Sequence, residues 1–208
     1  MSGSGHHRNG ELQARVNRLL DLAEARGVIT RPEVDARIEA FGDRVTARNG
    51  AEMVVRAWSS PEYRDRLLAD AGAAAAELGH QGGGYSSDIR LHAVANTPGV
   101  HNVVVCTLCS CYPLAWLGPP PAWYKSEAYR SRVVRDPRSV LAEFGLVLPD
   151  TTEVRVWDAS AEARYLVVPE RPEGAGALSE AEQLDLVTRD CLIGTAVPTL
   201  PARIGRTA

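Results

Sequence analysis

No stretch of this sequence is apolar for long enough to cross a bilayer, which takes roughly 20 consecutive apolar residues. The start carries no recognisable export signal, so the thiols are expected to meet a reducing, cytoplasmic setting. An excess of one charge is missing too. The 23 Lys and Arg against 26 Asp and Glu leave a formal charge of −3, which does not point to a nucleic-acid binder. The Gly-rich stretch 79–87 lacks the spaced Gly…Gly-Lys-Ser/Thr order of a phosphate loop, and no strand clearly leads into it. A thioredoxin-like strand–helix–strand pattern around the cysteines is also absent. At 208 residues and 45% hydrophobic content, what remains is one good-sized domain, or one domain with an arm.

Cysteine itself is scarce, and its placement is uneven. Three of the four stand within six residues, Cys106, Cys109 and Cys111 in Cys106-Thr107-Leu108-Cys109-Ser110-Cys111. Thiolates are soft, strong ligands, so three converging sulfurs favour a transition metal over calcium or magnesium. Cys109 and Cys111 flank a single residue. Both reach one ion only if the peptide groups of Ser110 and Cys111 also face it. With those two amide nitrogens deprotonated, the loop offers five donors and leaves a sixth octahedral position open for water or a small substrate. Other readings stand beside this claw. A structural zinc site needs a fourth ligand, for which His92 and His101 are candidates without a recognisable finger spacing. A disulfide between Cys109 and Cys111 would be strained. Cys191, in an apolar stretch, reads as a small core residue.

The hydropathy pattern places the claw on a strand. Val100–Val105 runs straight into Cys106, a turn at 96–99 precedes it, and 89–94 forms another strand. Helical spacing predicts helices over 11–26, stopped by Gly27, and from the cap Thr30 through Phe41. The segment 51–58 fits either a strand or a helix. Ser60 caps a helix running to Ala76, and 114–123 is too rich in proline for a regular element. Helices follow over 126–134 and 137–144, strands over 153–158 and 164–168, and a helix over 179–187 with a Ser179/Glu182 capping box. In the run Arg130, Arg132, Arg135 and Arg138, Arg130 and Arg138 are assigned to solvent or to a partner face. Asp136 and Glu127 do not read as general bases. The expected fold class is α+β: a polar tail or tag over 1–9, a helical arm over 10–48, and a layered α/β/β/α-type domain over 49–208 carrying the claw.

The six-residue motif resembles the metal-binding loop of the nitrile hydratase alpha-subunit family, and Thr107 resembles its cobalt form. The resemblance continues through Pro120-Pro121-Ala122-Trp123-Tyr124-Lys125, Tyr129-Arg130-Ser131-Arg132, Arg164-Tyr165 and Thr188-Arg189-Asp190-Cys191-Leu192-Ile193-Gly194, and covers nearly everything from Ala47 onward. It implies an enzyme that adds water to a nitrile to give an amide. It implies one non-corrin Co(III) per chain, held by Cys106, Cys109, Ser110 and Cys111, with catalytic roles for Cys109, Ser110 and Cys111. Cys109 would be oxidised to sulfinic acid and Cys111 to sulfenic acid. It further implies one or two beta-type partner chains, clasped by the arm, and a cobalt-inserting activator protein. Nucleic acid and membrane partners are not expected. Relatives carry Trp-Pro where this chain has Leu114-Ala115, which implies a wider pocket and a bulky heteroaromatic nitrile of the toyocamycin type. The gamma subunit of thiocyanate hydrolase shares the claw and is the alternative. A non-enzymatic carrier of zinc or cobalt is the second.

Overall fold

The computed structural model describes residues 4–80, 89–109 and 111–201, with side chains from residue 10 onward. Residues 81–88, which take in most of the Gly-rich stretch 79–87, and Ser110 lie outside the described residues. The chain divides into two compact units, Met1–Arg44 and Val45–Ala208. No helix is long and apolar enough to cross a membrane among the described residues.

The first unit is two helices, α1 (Ser4–Ala25) and α2 (Arg31–Arg44). Helix α1 begins upstream of Glu11 and takes in residues that composition assigns to a tail. Gly27, at φ 65°, ends it. Thr30 starts α2 as expected, with the Glu33 carboxylate accepting from both its N–H (2.7 Å) and its hydroxyl (2.9 Å). Those two bonds hold Glu33 below the usual carboxylate range, the backbone one first. Two helices alone give little apolar cover: α2 buries no residue, and Leu12, Val16, Leu19, Ile38 and Phe41 stay exposed.

The second unit is α+β. Its helices α3 (Ala47–Ser59), α4 (Pro61–Ala69) and α5 (Ala71–Glu77) precede strands β1 (Arg90–Ala95) and β2 (Val100–Val105). Helix α6 (Leu114–Leu117), a 3-10 turn (Ala122–Lys125), α7 (Glu127–Val133) and α8 (Pro137–Glu143) follow. Strands β3 (Glu153–Asp158) and β4 (Ala163–Val168) and helices α9 (Glu180–Leu186) and α10 (Arg189–Ile193) complete it. The ambiguous 51–58 is helical. Its buried positions Gly50, Met53, Val54 and Ala57 recur at helical spacing, and the Thr46 hydroxyl caps it. The single helix expected from Ser60 to Ala76 is broken at Asp70. That residue is extended, and its carboxylate accepts from the Ala73 N–H at 3.0 Å, so it starts a new helix instead of continuing the old one. The segment 114–123 does hold regular structure: a single turn of helix fits between Pro113 and Gly118, before the proline run. The Ser179/Glu182 capping box forms as expected.

The strands make two parallel pairs, β1 with β4 and β2 with β3. In the second, Val100 faces Glu153 and Val105 faces Asp158. Strands β3 and β4 are neighbours in sequence yet do not pair with each other. Around β2 the core closes on Met53, Leu67, Val103, Leu141, Leu192 and Ile193.

A buried polar knot fixes the base of β2. His101 is 3% exposed, its Nε2 lies 2.7 Å from Gly194 O, and its Nδ1 lies 3.2 Å from the Asn96 amide. Asn102 bonds Asn96 and Ala95, and accepts from the Trp157 indole at 2.8 Å. Burial pushes His101 below its ordinary value, against the pull of the Gly194 carbonyl. The unfolded chain therefore takes up a proton near pH 6.5 that the folded chain refuses. Stability contributed by this residue is present above that pH and lost as pH falls towards the lowered folded value. Urea midpoints measured from pH 7.5 to 5.5 are expected to fall, and to fall less in His101→Gln.

Candidate metal centre

Strand β2 is buried along Val103–Val105 and delivers Cys106, itself 1% exposed, to the end of its sheet. The chain then turns back on itself. Cys109 N–H points at Cys106 Sγ (3.3 Å), Cys109 Sγ stands 3.5 Å from Cys106 Sγ, and Cys111 Sγ stands 3.2 Å from Cys109 Sγ. All three sulfurs lie within 4.8 Å of one another, and they are the one such cluster of potential ligands among the described residues. Burial first, then Cys109, pushes the Cys111 thiol up to about 12, while the nearby Arg164 charge pulls it down.

Residues from outside the loop grip it at several points. Asp158, at the end of β3, accepts from the Thr107 N–H (2.9 Å) and hydroxyl. This follows from the parallel register, which sets Asp158 opposite Val105 and lets Ala159 N–H bond Val105 O at 2.7 Å. The Tyr124 hydroxyl donates to Cys111 O (3.1 Å), the Tyr129 hydroxyl to Val104 O (2.7 Å), and Arg130 to Cys109 O (2.7 Å). Behind them Tyr112, Trp123, Tyr124, Tyr129 and Phe144 pack ring to ring. Helix α6 is held from the other side, where the Asn49 amide donates to Ala115 O at 2.8 Å. A Cβ on Gly50 would come 2.7 Å from Trp116 O.

Two expectations about the arginines are corrected. Arg130 reaches the claw, and Arg138 bonds the carbonyls of Leu148, Pro149, Asp150 and Thr152, so neither is simply solvated. Arg132 pairs with Glu143 on the surface and Arg135 is exposed. Asp136 caps α8 by accepting from Ser139 N–H, and Glu127 is exposed, so neither acts at the claw. Asp158 and Arg164 escaped the sequence reading as site residues. Arg164 is 7% exposed, donating to the carbonyls of Ser160, Ala161 and Ala163. A lone arginine opening an apolar strand is the signal that marks it.

The other cysteine chemistries fit poorly. All four cysteines are free thiols. His101 is committed to Gly194 and Asn96, and among the described residues no histidine nitrogen gathers with the three sulfurs as a fourth zinc ligand. Sulfurs about 2.3 Å from one ion stand about 3.3 Å apart at right angles and about 3.8 Å apart at the tetrahedral angle. The observed 3.2 Å matches the right-angle value, and 3.5 Å lies between the two. A set of three gathered soft sulfurs suits a transition ion.

Residues 10–196 match the family model of the nitrile hydratase alpha chain. The chain belongs to that family. It is 47% identical over 195 residues to the low-molecular weight cobalt-containing nitrile hydratase subunit alpha of Rhodococcus rhodochrous, covering 94% of this chain and 93% of that one. It is 46% identical over 156 residues to the thiocyanate hydrolase subunit gamma of Thiobacillus thioparus, covering 71% of this chain and 64% of the relative. Among solved structures, a double mutant of the Fe-type nitrile hydratase from Comamonas testosteroni Ni1 superposes with a TM-score of 0.85. It shares 37% identity over 96% of this chain and 99% of its own. Family members thus include cobalt and iron proteins, and Cys191, buried beneath Thr188, is a core residue in this one, as expected.

Proposed function

We propose that this chain is the cobalt-bearing catalytic subunit of a nitrile hydratase, adding water to a nitrile to give the amide. The observation that carries the reading is the gathering of three sulfurs at 3.2 and 3.5 Å on a braced loop. Cys106, Cys109 and Cys111 would hold one non-corrin cobalt, with the main-chain nitrogens of Ser110 and Cys111; Ser110 lies outside the described residues. Bound there, the ion supplies a Lewis acid for the nitrile nitrogen or for water. Cys109 and Cys111 carry oxygen in this reading, as sulfinic and sulfenic acid. An oxygen on Cys111 would serve as base, taking the proton of the attacking water, or as nucleophile on the nitrile carbon, where the C–N π bond breaks and its electron pair moves to nitrogen. Either role gains from proximity. Arg164, the charge nearest in effect to Cys111, favours its anionic form.

The claw tip opens outward on this chain, since Cys109 is exposed and Leu108 is 86% exposed. Closing it falls to one or two beta-type partner chains, and the uncovered faces of α1 and α2 are the arm that clasps them. A cobalt-inserting activator would load the site in the cytoplasm. Leu114 in place of tryptophan favours a bulky heteroaromatic nitrile. The gamma-type thiocyanate hydrolase role is the second reading, supported by the relative from Thiobacillus thioparus.

Co-expression with beta-type chains, followed by elemental analysis, peptide mass and turnover, tests all of this. Cobalt near one per chain, oxygen on the Cys109–Cys111 peptide, and faster turnover of a cyano-nucleoside than of acetonitrile are expected. Stoichiometric zinc with unmodified thiols, persisting after cobalt is added under air, would sink the enzyme reading. Preference for thiocyanate over every nitrile would move the chain to the second one.

A further inference from the structure

Helix α7 bonds the chain on both sides of Cys106. Its adjacent residues Tyr129 and Arg130 donate to two carbonyls on either side of Cys106, Val104 O at 2.7 Å and Cys109 O at 2.7 Å. Ahead of it, Tyr124 donates to Cys111 O. The mount is firm. Ser126 caps α7 by accepting from the Tyr129 N–H, Tyr129 is 5% exposed and Val133 is fully buried. Tyr129 and Tyr124 are core side chains as well as donors, so their bonds to the loop come with packing. Arg130 is different: it is half-buried, and its side-chain hydrogen bond among the described residues goes to the Cys109 carbonyl. Its Nε is shielded from water and bonds no described residue, so the guanidinium spends burial to reach the loop.

We propose that Arg130 is the positioning residue of the claw, holding the Cys109 arm so that its sulfur stands between those of Cys106 and Cys111 before any ion arrives. The inference rests on the metal-site reading above. Cys109 needs such a holder. It is the exposed member of the three, it follows the solvent-facing Leu108, and a free arm would have to be ordered each time an ion bound. A charged donor on a main-chain carbonyl makes a strong hydrogen bond and leaves the sulfur itself free to ligate. Arg130 thus lowers the ordering cost of metal capture without touching the ion.

The test is anaerobic titration of the full metal-free chain with Co(II), read by the thiolate-to-cobalt charge-transfer absorption. Comparison is among the parent chain, Arg130→Gln, Arg130→Lys and the exposed control Arg135→Gln. Outer partners of metal ligands typically contribute about 10–100-fold in affinity. Arg130→Gln is expected to weaken Co(II) binding within that range, with Arg130→Lys recovering part of the loss and Arg135→Gln matching the parent. In the metal-free chain, iodoacetamide should alkylate Cys109 faster in Arg130→Gln, while the thermal midpoint stays that of the parent. Equal affinities and equal alkylation rates in parent and Arg130→Gln would overturn the proposal. A lowered thermal midpoint in Arg130→Lys and Arg130→Gln alike, with affinity falling in step, would make Arg130 a stability residue and overturn it too. If the parent binds no Co(II), and Cys109→Ala changes nothing, it is the metal-site reading that has failed.

Discussion

Changing Cys106 to serine is expected to take bound cobalt from about one per chain to near zero and to remove turnover altogether. The side chain is 1% exposed at the end of β2, so the position is fixed by the strand and not by the ion. A serine there stays in place, keeps the volume nearly unchanged and offers a hard hydroxyl where a soft thiolate stood. The fold should survive, because the apolar packing of Val103–Val105 is untouched. With the ion gone, its Lewis-acid contribution of several kcal/mol is lost, a rate decrease of at least about a thousand-fold. Elemental analysis and an amide-formation assay on the same preparation check both halves. Retained cobalt in a folded Cys106→Ser chain would show that this sulfur is not a ligand.

Among the described glycines, Gly194→Ala is expected to produce the largest loss of stability. Gly194 ends α10 at φ 92°, a conformation that L side chains rarely adopt. There is no room either. A Cβ would collide with Asn102 O and stand 2.9 Å from Val103 Cα, on the backbone of β2 itself. Backbone cannot yield as a flexible side chain does, and Gly194 O also takes the hydrogen bond of His101. Positive-φ strain and a backbone clash together place the cost at about 4 kcal/mol or more. For a chain of this size that lowers the thermal midpoint by about 8–16 °C. Scanning calorimetry reads it directly. A shift under about 3 °C would mean that α10 moves away from β2 at little cost.

The claw was legible because its information is local: three sulfurs in six residues state their own chemistry. Capped helices were legible for the same reason, Ser179 with Glu182 and Thr30 with Glu33 each lying three residues apart. What the sequence hid was every relation across distance. Asp70 looked like one more polar position in a helix, and only its extended backbone shows that it ends one helix and caps the next. Residues 153–158 and 164–168 read correctly as strands, but nothing local showed that each reaches back to pair with a strand before the claw. Arg130 looked like surface charge, and Asp158 like no more than the end of a strand, because nothing in their own neighbourhood names the loop they hold. Family resemblance supplied chemistry that local pattern did not, but it did not say which neighbours brace the loop.

The pairing of β2 with β3 also sets a timetable. Thr107 and the Asp158 that clamps it are 51 residues apart in the chain. At about 5–20 residues per second of synthesis, the three thiols leave the ribosome some 3–10 s before their clamp exists. Closing so long a loop is also the slow kind of contact in folding. During that interval the loop lacks its Asp158 clamp, whatever Tyr124, Tyr129 and Arg130 supply from nearer in the chain. The complete ligand loop is thus a property of the finished chain, closed from its far side only after β3 has been made.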